Sequence, residues 1–105
     1  MIETRHENML APLHPGEVLL EEYLKPKKIR QNRLSLSMRV PARRINEIIL
    51  GKRGISADTA LRLSLAIGTT PEFWLGLQTD YDLAVAKDAK MEELKQDVKP
   101  IFIKE

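Results

Sequence analysis

The stretch from Gln31 to Gly51, QNRLSLSMRVPARRINEIILG, constrains this chain more than any other. It reads as a short helix, a tight turn and a second helix, the pattern of a helix-turn-helix. In the first helix, Gln31 to Met38, the residues Leu34, Ser35 and Met38 fall at i, i+1 and i+4 and are expected to face inward. Arg39 occupies the turn, where a left-handed backbone is usual and glycine is the natural choice, so this position is expected to cost about 1 kcal/mol. Val40 precedes a proline and should be extended. Pro41 then suits the first position of the next helix, because its fixed φ matches the turn that follows. At 100° per residue, Ile45, Ile48 and Ile49 gather on one side with Pro41, which makes that side core. Arg43, Asn46, Glu47 and Leu50 fall opposite, with Ala42 and Arg44 on the flanks, and Gly51 ends the helix.

Charge singles out the same region. From Lys25 to Arg53 there are ten basic residues and one acid, Glu47, a local balance of +9. Residues 1–24 carry −4 and residues 54–105 carry −3, so the modest +2 of the whole chain conceals a basic surface on an acidic body. A segregated basic face of this kind attracts phosphate backbones.

The remaining segments read as a single domain around this unit. At 105 residues and 43% hydrophobic content the chain can bury one core but has no room for a second domain of ordinary size. There is no cysteine, which rules out disulfides and thiolate metal sites and suits a reducing cytoplasm. The opening MIETRHENML lacks an apolar signal region, and no run approaches the roughly 18 apolar residues of a membrane span. Residues 1–13 show no periodicity and are expected to form a flexible arm. His14-Pro15-Gly16 opens a helix with Val18, Leu19, Tyr23 and Leu24 on one face, stopped by Pro26. Ser56 looks like the N-cap of a further helix bearing Ala60, Leu63, Ser64 and Ile67 and ended by Gly68. Thr70 and Pro71 start another, with Phe73, Trp74, Leu75 and Leu77, continuing through Tyr81 and Leu83 towards Glu93. KPIFIK, Lys99 to Lys104, is the one strongly β-like segment.

The chemistry on offer is that of duplex reading. A helix placed in the major groove meets a distinct pattern of donors and acceptors at each base pair. Arg43 can grip guanine O6 and N7 with its fork, Asn46 can pair with adenine, and Arg44 reaches a base or a phosphate. Gln31 and Asn32, at the start of the preceding helix, can add phosphate contacts, and Lys52 and Arg53 are natural backbone clamps. The plainer reading of Arg43 and Arg44 is solvated helix surface, and the one-sided charge weighs against it. Asn46 as polar filler stays open. Glu47 is expected to orient Arg43 or Arg44 through a helical pair rather than accept from cytosine. Phe73, Trp74 and Leu77 are most simply core, with a dimer seam as the sharper alternative. His6 and His14 have no carboxylate pair in helical register, and neither a metalloprotease motif nor a glycine-rich phosphate loop is present. The chain therefore reads as a binding protein rather than an enzyme, with no metal and no cofactor.

Three segments in order, HPGEVLLEEYL at 14–24, VPARRINEIILGKRGISADTALRL at 40–63 and TPEFWLGLQTDYDL at 70–83, resemble the HigA/VapI-like antitoxins of the wider Cro/phage-repressor (XRE-type) helix-turn-helix family. The resemblance runs from His14 to about Val85. It implies a five-helix lambda-repressor-like fold, and together with the residue pattern this gives an all-α domain over residues 14–95 with a short extended C-terminal tail at 96–105. It also implies a homodimer bound to palindromic double-stranded operator DNA, and neutralisation of a HigB-type toxin that cleaves messenger RNA on the ribosome. Carried over by position, Gln31 matches the family's phosphate-contacting residue, and Ala42, Arg43 and Asn46 match its base-facing ones. No toxin-binding residue carries over. The chain departs from the pattern at Ser35, where alanine is usual, at Arg39, where glycine is common, and at Leu36 and Leu50, which place apolar groups on faces usually polar. The last two suggest a protein contact or, for Leu50, a thymine methyl. A free-standing repressor without a toxin partner is the alternative function.

Overall fold

The computed structural model describes residues 13–102. Among the described residues there are five helices in sequence and no strand. Of the expected arm, residues 1–13, all but Leu13 lie outside the described residues. Leu13, at its end, packs against the core.

Helix α1 begins at Pro15 with His14 as N-cap, whose Nδ1 accepts from the Gly16 N–H at 2.9 Å. After Pro15–Val18 the helix widens into a π-helical stretch, Leu19–Leu24, which the sequence pattern did not foreshadow. The wider turn keeps Val18, Leu19 and Leu24 all buried on one side and leaves Tyr23 half-buried beside them. Helix α2 spans Gln31–Met38 and buries Leu34, Ser35 and Met38, as the pattern predicts. Buried Ser35 is satisfied by donating to the Asn32 carbonyl at 2.8 Å, so a hydroxyl is accommodated where alanine is usual.

Arg39 adopts the left-handed conformation at φ 59°, and the N–H groups of Arg39 and Val40 return to the carbonyls of Leu36 and Ser35. Helix α3, Ala42–Ile49, begins one residue later than expected: Pro41 is its N-cap, in extended conformation, and is exposed rather than part of the core. The proline restricts its own φ while its ψ stays extended, so it holds the cap instead of the first turn. Ile45 and Ile48 are fully buried and Ile49 half-buried. The helix closes in the same manner as α2, on Gly51 at φ +76°, with Lys52 N–H returning to Glu47 O at 2.8 Å.

Helix α4, Ala57–Ile67, is capped by Ser56 and ended by Gly68, and α5, Pro71–Asp97, is capped by Thr70. Both caps accept from the N–H three residues on, at 3.2 Å and 3.1 Å. Trp74 is fully buried at the centre, its indole N–H donating to Thr69 Oγ1 at 2.7 Å. Leu77 is half-buried, and Phe73 lies exposed at the rim with its ring edge on Trp74. Helix α5 continues past Glu93 to Asp97, two residues into the expected tail. The β-like segment is not realised where it is described: residues 98–100 are coil and 101–102 a bend, because no neighbouring edge receives them.

One close approach sets the angle of the whole assembly. A Cβ on Gly16 would overlap the carbonyl oxygen of Ile48 and stand 2.9 Å from the Cα of Ile49. Only glycine lets α1 rest directly on the C-terminal turn of α3. Gln78 performs a comparable service from α5, its Oε1 accepting from the Ile55 N–H at 2.7 Å and holding the loop between α3 and α4.

A candidate nucleic-acid interface

Helix α3 has one face in the core and one in water. With Ile45 and Ile48 buried below and Gly16 admitting α1 from behind, the side chains of Ala42, Arg43, Asn46 and Leu50 stand outward. Arg43 is wide open, with 85% of its side chain exposed. Leu50 lies 57% exposed on the same face, one turn beyond Asn46.

These groups are ordered rather than free. Asn46 Nδ2 donates to Gln31 Oε1 at 3.3 Å, a bond that joins the outer face of α3 to the first residue of α2. Gln31 is therefore engaged with a base-facing candidate as well as lying at a helix N-terminus. Glu47 accepts from Arg43 Nε at 3.0 Å through Oε2, and from Arg53 Nε at 2.9 Å through Oε1. Hydrogen bonds from Arg53 first and Arg43 second hold its carboxyl below the usual carboxylate range, so it stays ionised. Of the two arginines named as its partner, the one it takes is Arg43. Arg44 instead leans towards Asp58 at 4.0 Å, on the flank facing α4. Asp58 also holds Arg62, whose Nη1 donates to the Met38 carbonyl at 2.9 Å and closes the end of α2.

The expected residues thus come together unequally. Ala42, Arg43 and Asn46 share the outward face, and Gln31 is bonded to it. Asn32 is exposed at the start of α2, and Lys52 and Arg53 follow α3 in the turn that Gly51 makes. Arg44 lies to one side, turned towards Asp58. What sequence reasoning missed is the role of Arg53 as second partner of Glu47. The six-residue separation matches no helical pairing rule, and it is the left-handed Gly51 that folds Arg53 back.

Elsewhere the described residues offer little chemistry. They contain no cluster of histidine and acidic side chains fit to hold a metal, and no helix long and apolar enough to cross a membrane. His14 is an N-cap packed edge-on against Tyr81, with ring centroids 4.8 Å apart.

A helix-turn-helix family model matches residues 20–74, just over half of the chain. Virulence-associated protein I of Dichelobacter nodosus is 46% identical over 84 residues, covering 80% of this chain and 78% of the relative. Antitoxin HigA-1 of Vibrio cholerae is 37% identical over 92 residues, covering 88% and 86%. Among solved structures, Pseudomonas aeruginosa antitoxin HigA with the higBA promoter superposes with a TM-score of 0.83 at 37% identity, covering 87% of this chain and 99% of that one. With an exposed basic face on α3, a matched family model and relatives of this closeness, the chain belongs to the XRE-type helix-turn-helix family, on the branch of the HigA-type antitoxins.

Proposed function

We propose that this protein is a dimeric, cytoplasmic antitoxin that reads a palindromic operator through α3 and represses the operon encoding itself and a HigB-type toxin. The observation that carries the reading is the outward face of α3, where Arg43 stands exposed and Asn46 is held by Gln31 within the +9 segment. Arg43 would take guanine, Asn46 adenine and Ala42 a thymine methyl, while Gln31, Asn32, Arg44, Lys52 and Arg53 meet phosphates. That the similar Pseudomonas antitoxin HigA is solved with the higBA promoter supports DNA as the partner.

Dimerisation is supported by α5. Beyond Tyr81 no residue of it is buried, yet Leu83, Met91 and Leu94 are exposed within about 80° of one another at 100° per residue. A lone helix of such length is marginal in water, and a second copy would cover the stripe. Two protomers would also present two copies of α3, which can then span half-sites about 34 Å apart. Toxin binding is supported by the acidic body outside residues 25–53, which suits a basic RNA-cleaving partner, and by Leu36, 70% exposed on the side of α2 away from the core.

The test is an electrophoretic mobility shift with the DNA upstream of the protein's own gene, set against random DNA of equal length. Specific retention with two protomers per site is the expected result, and equal affinity for both DNAs overturns the reading. For the partner, co-expression with the adjacent short gene should rescue growth and yield a complex that still binds operator. A harmless, non-binding neighbour makes the protein a free-standing repressor instead.

A further inference from the structure

Glu47 is the only acid between Lys25 and Arg53, and it sits among the arginines of the face proposed to meet DNA, whose phosphates would repel it. Each of its carboxylate oxygens serves a different guanidinium. Oε2 takes the Nε of Arg43 at 3.0 Å, and Oε1 takes both Nε and Nη2 of Arg53, at 2.9 and 2.8 Å. The two partners come from different places, Arg43 from the preceding turn of the same helix and Arg53 from the turn folded back by Gly51.

This arrangement has two physical consequences. Bonding through Nε leaves both terminal amines of Arg43 free and fixes the plane of the fork, which is the state a bidentate contact with guanine requires. Arg53, by contrast, spends Nε and Nη2 on the carboxylate, so the three groups together carry only one net positive charge towards DNA. A phosphate approaching Arg53 finds only Nη1 wholly free, and its own charge is repelled by the carboxylate.

We infer that Glu47 is a positioning residue that sets sequence discrimination, aligning Arg43 for base reading while weakening the hold of Arg53 on phosphate, so that Arg53 adds to a seated operator complex but little to binding at random sequence. It gives up affinity for DNA in general to widen the gap between operator and random sequence. The inference rests on the operator-binding reading above and adds to it the source of selectivity.

Its test is a salt titration of Glu47→Gln against the unaltered protein, on operator and on random duplex of the same length. Glutamine is isosteric and the side chain lies at the surface, so circular dichroism should be unchanged. Releasing two arginines should tighten binding to random DNA and steepen the logarithmic salt dependence by about one counterion. Operator binding should change less, so that discrimination falls about tenfold. Glu47→Asp, which retains the charge but is too short to bridge both arginines, should lose discrimination without the steeper salt dependence. Unchanged discrimination in both variants, with the unaltered protein still selective, overturns the inference. So does a loss confined to one operator base pair, which would make Glu47 a direct reader. If the unaltered protein itself fails to prefer operator, it is the proposed function that falls.

Discussion

Helix α3 and the distal half of α5 are opposites. The eight residues of α3 are too few to be helical alone, and they are fixed by fully buried Ile45 and Ile48, the contact at Gly16 and a bond to α2. The segment of α5 after Tyr81 is twice as long and touches almost nothing within its own chain. The short helix is finished by the fold and presents polar groups, whereas the long one is left unfinished and presents apolar ones. In the proposed function the short helix is a reading surface that each protomer brings ready-made, and the long one is a surface that a second copy completes.

The largest effect should come from breaking the seat of α3. In Gly16→Ala the new methyl meets backbone, not a side chain that could swing aside, so α1 and α3 must separate. A loss of about 3 kcal/mol is expected by urea denaturation, at the upper end of overpacking costs because the neighbour cannot yield. A loss below about 0.5 kcal/mol, typical of a surface change, would show that the two helices are not rigidly seated.

On the other side of the comparison, Leu94→Lys should leave the body intact and dissolve the dimer. Leu94 makes no core contact, so the unfolding free energy of the monomer should move within about 0.5 kcal/mol. Light scattering should report a monomer, and operator affinity should fall about a hundredfold because the two copies of α3 no longer bind as a unit. A dimer that survives this change would place the seam elsewhere.

Arg43→Ala separates reading from folding within the finished helix. Operator binding should weaken by about 2 kcal/mol, the worth of one bidentate contact, with melting temperature unchanged. Equal weakening on random DNA would demote Arg43 to a phosphate contact.

The same contrast explains what the sequence disclosed. Helices with one buried face were legible, since Leu34, Ser35, Met38, Ile45 and Ile48 follow the 3.6-residue period and the structure buries all five. The base-facing candidates followed by subtraction, as the polar remainder of α3. The π-helical turn after Val18 was invisible because its cause is tertiary: the same side must remain buried past the point where α1 leans on α3. Pro41 was misplaced by one position because proline fits both the cap and the first turn, and only its ψ of 143° distinguishes them. The link from Glu47 to Arg53 needed a backbone reversal at Gly51 that no spacing rule contains. Lys99 to Lys104 was read as β-like on composition alone, and in its described part, 99–102, β propensity without a partner edge makes no strand.

The smallest predicted effect lies where the two regions meet, at His14. Its Nδ1 caps α1, its ring rests on Tyr81 at the end of the docked part of α5, and Gly51 at the end of α3 lies close by. Capping requires the lone pair on Nδ1, which protonation removes. Burial lowers the pKa of His14 from its ordinary 6.5, outweighing the opposite pull of Asp82 on α5 and Glu17 on α1. A lowered pKa means that the unfolded chain takes up the proton first as the solution is acidified. The stabilisation is therefore complete above pH 6.5, where both states are neutral, and declines as pH falls from there through the lower folded value. Below that value it stays lost. Asparagine at this position still caps but does not titrate, so His14→Asn should keep the helix and flatten this part of the pH dependence. The measurement is unfolding free energy from about pH 7.5 to 5, the range in which histidine titrates, compared between the two proteins. Parallel curves would mean that His14 changes protonation equally in both states and takes no part in holding α1, α3 and α5 at their junction.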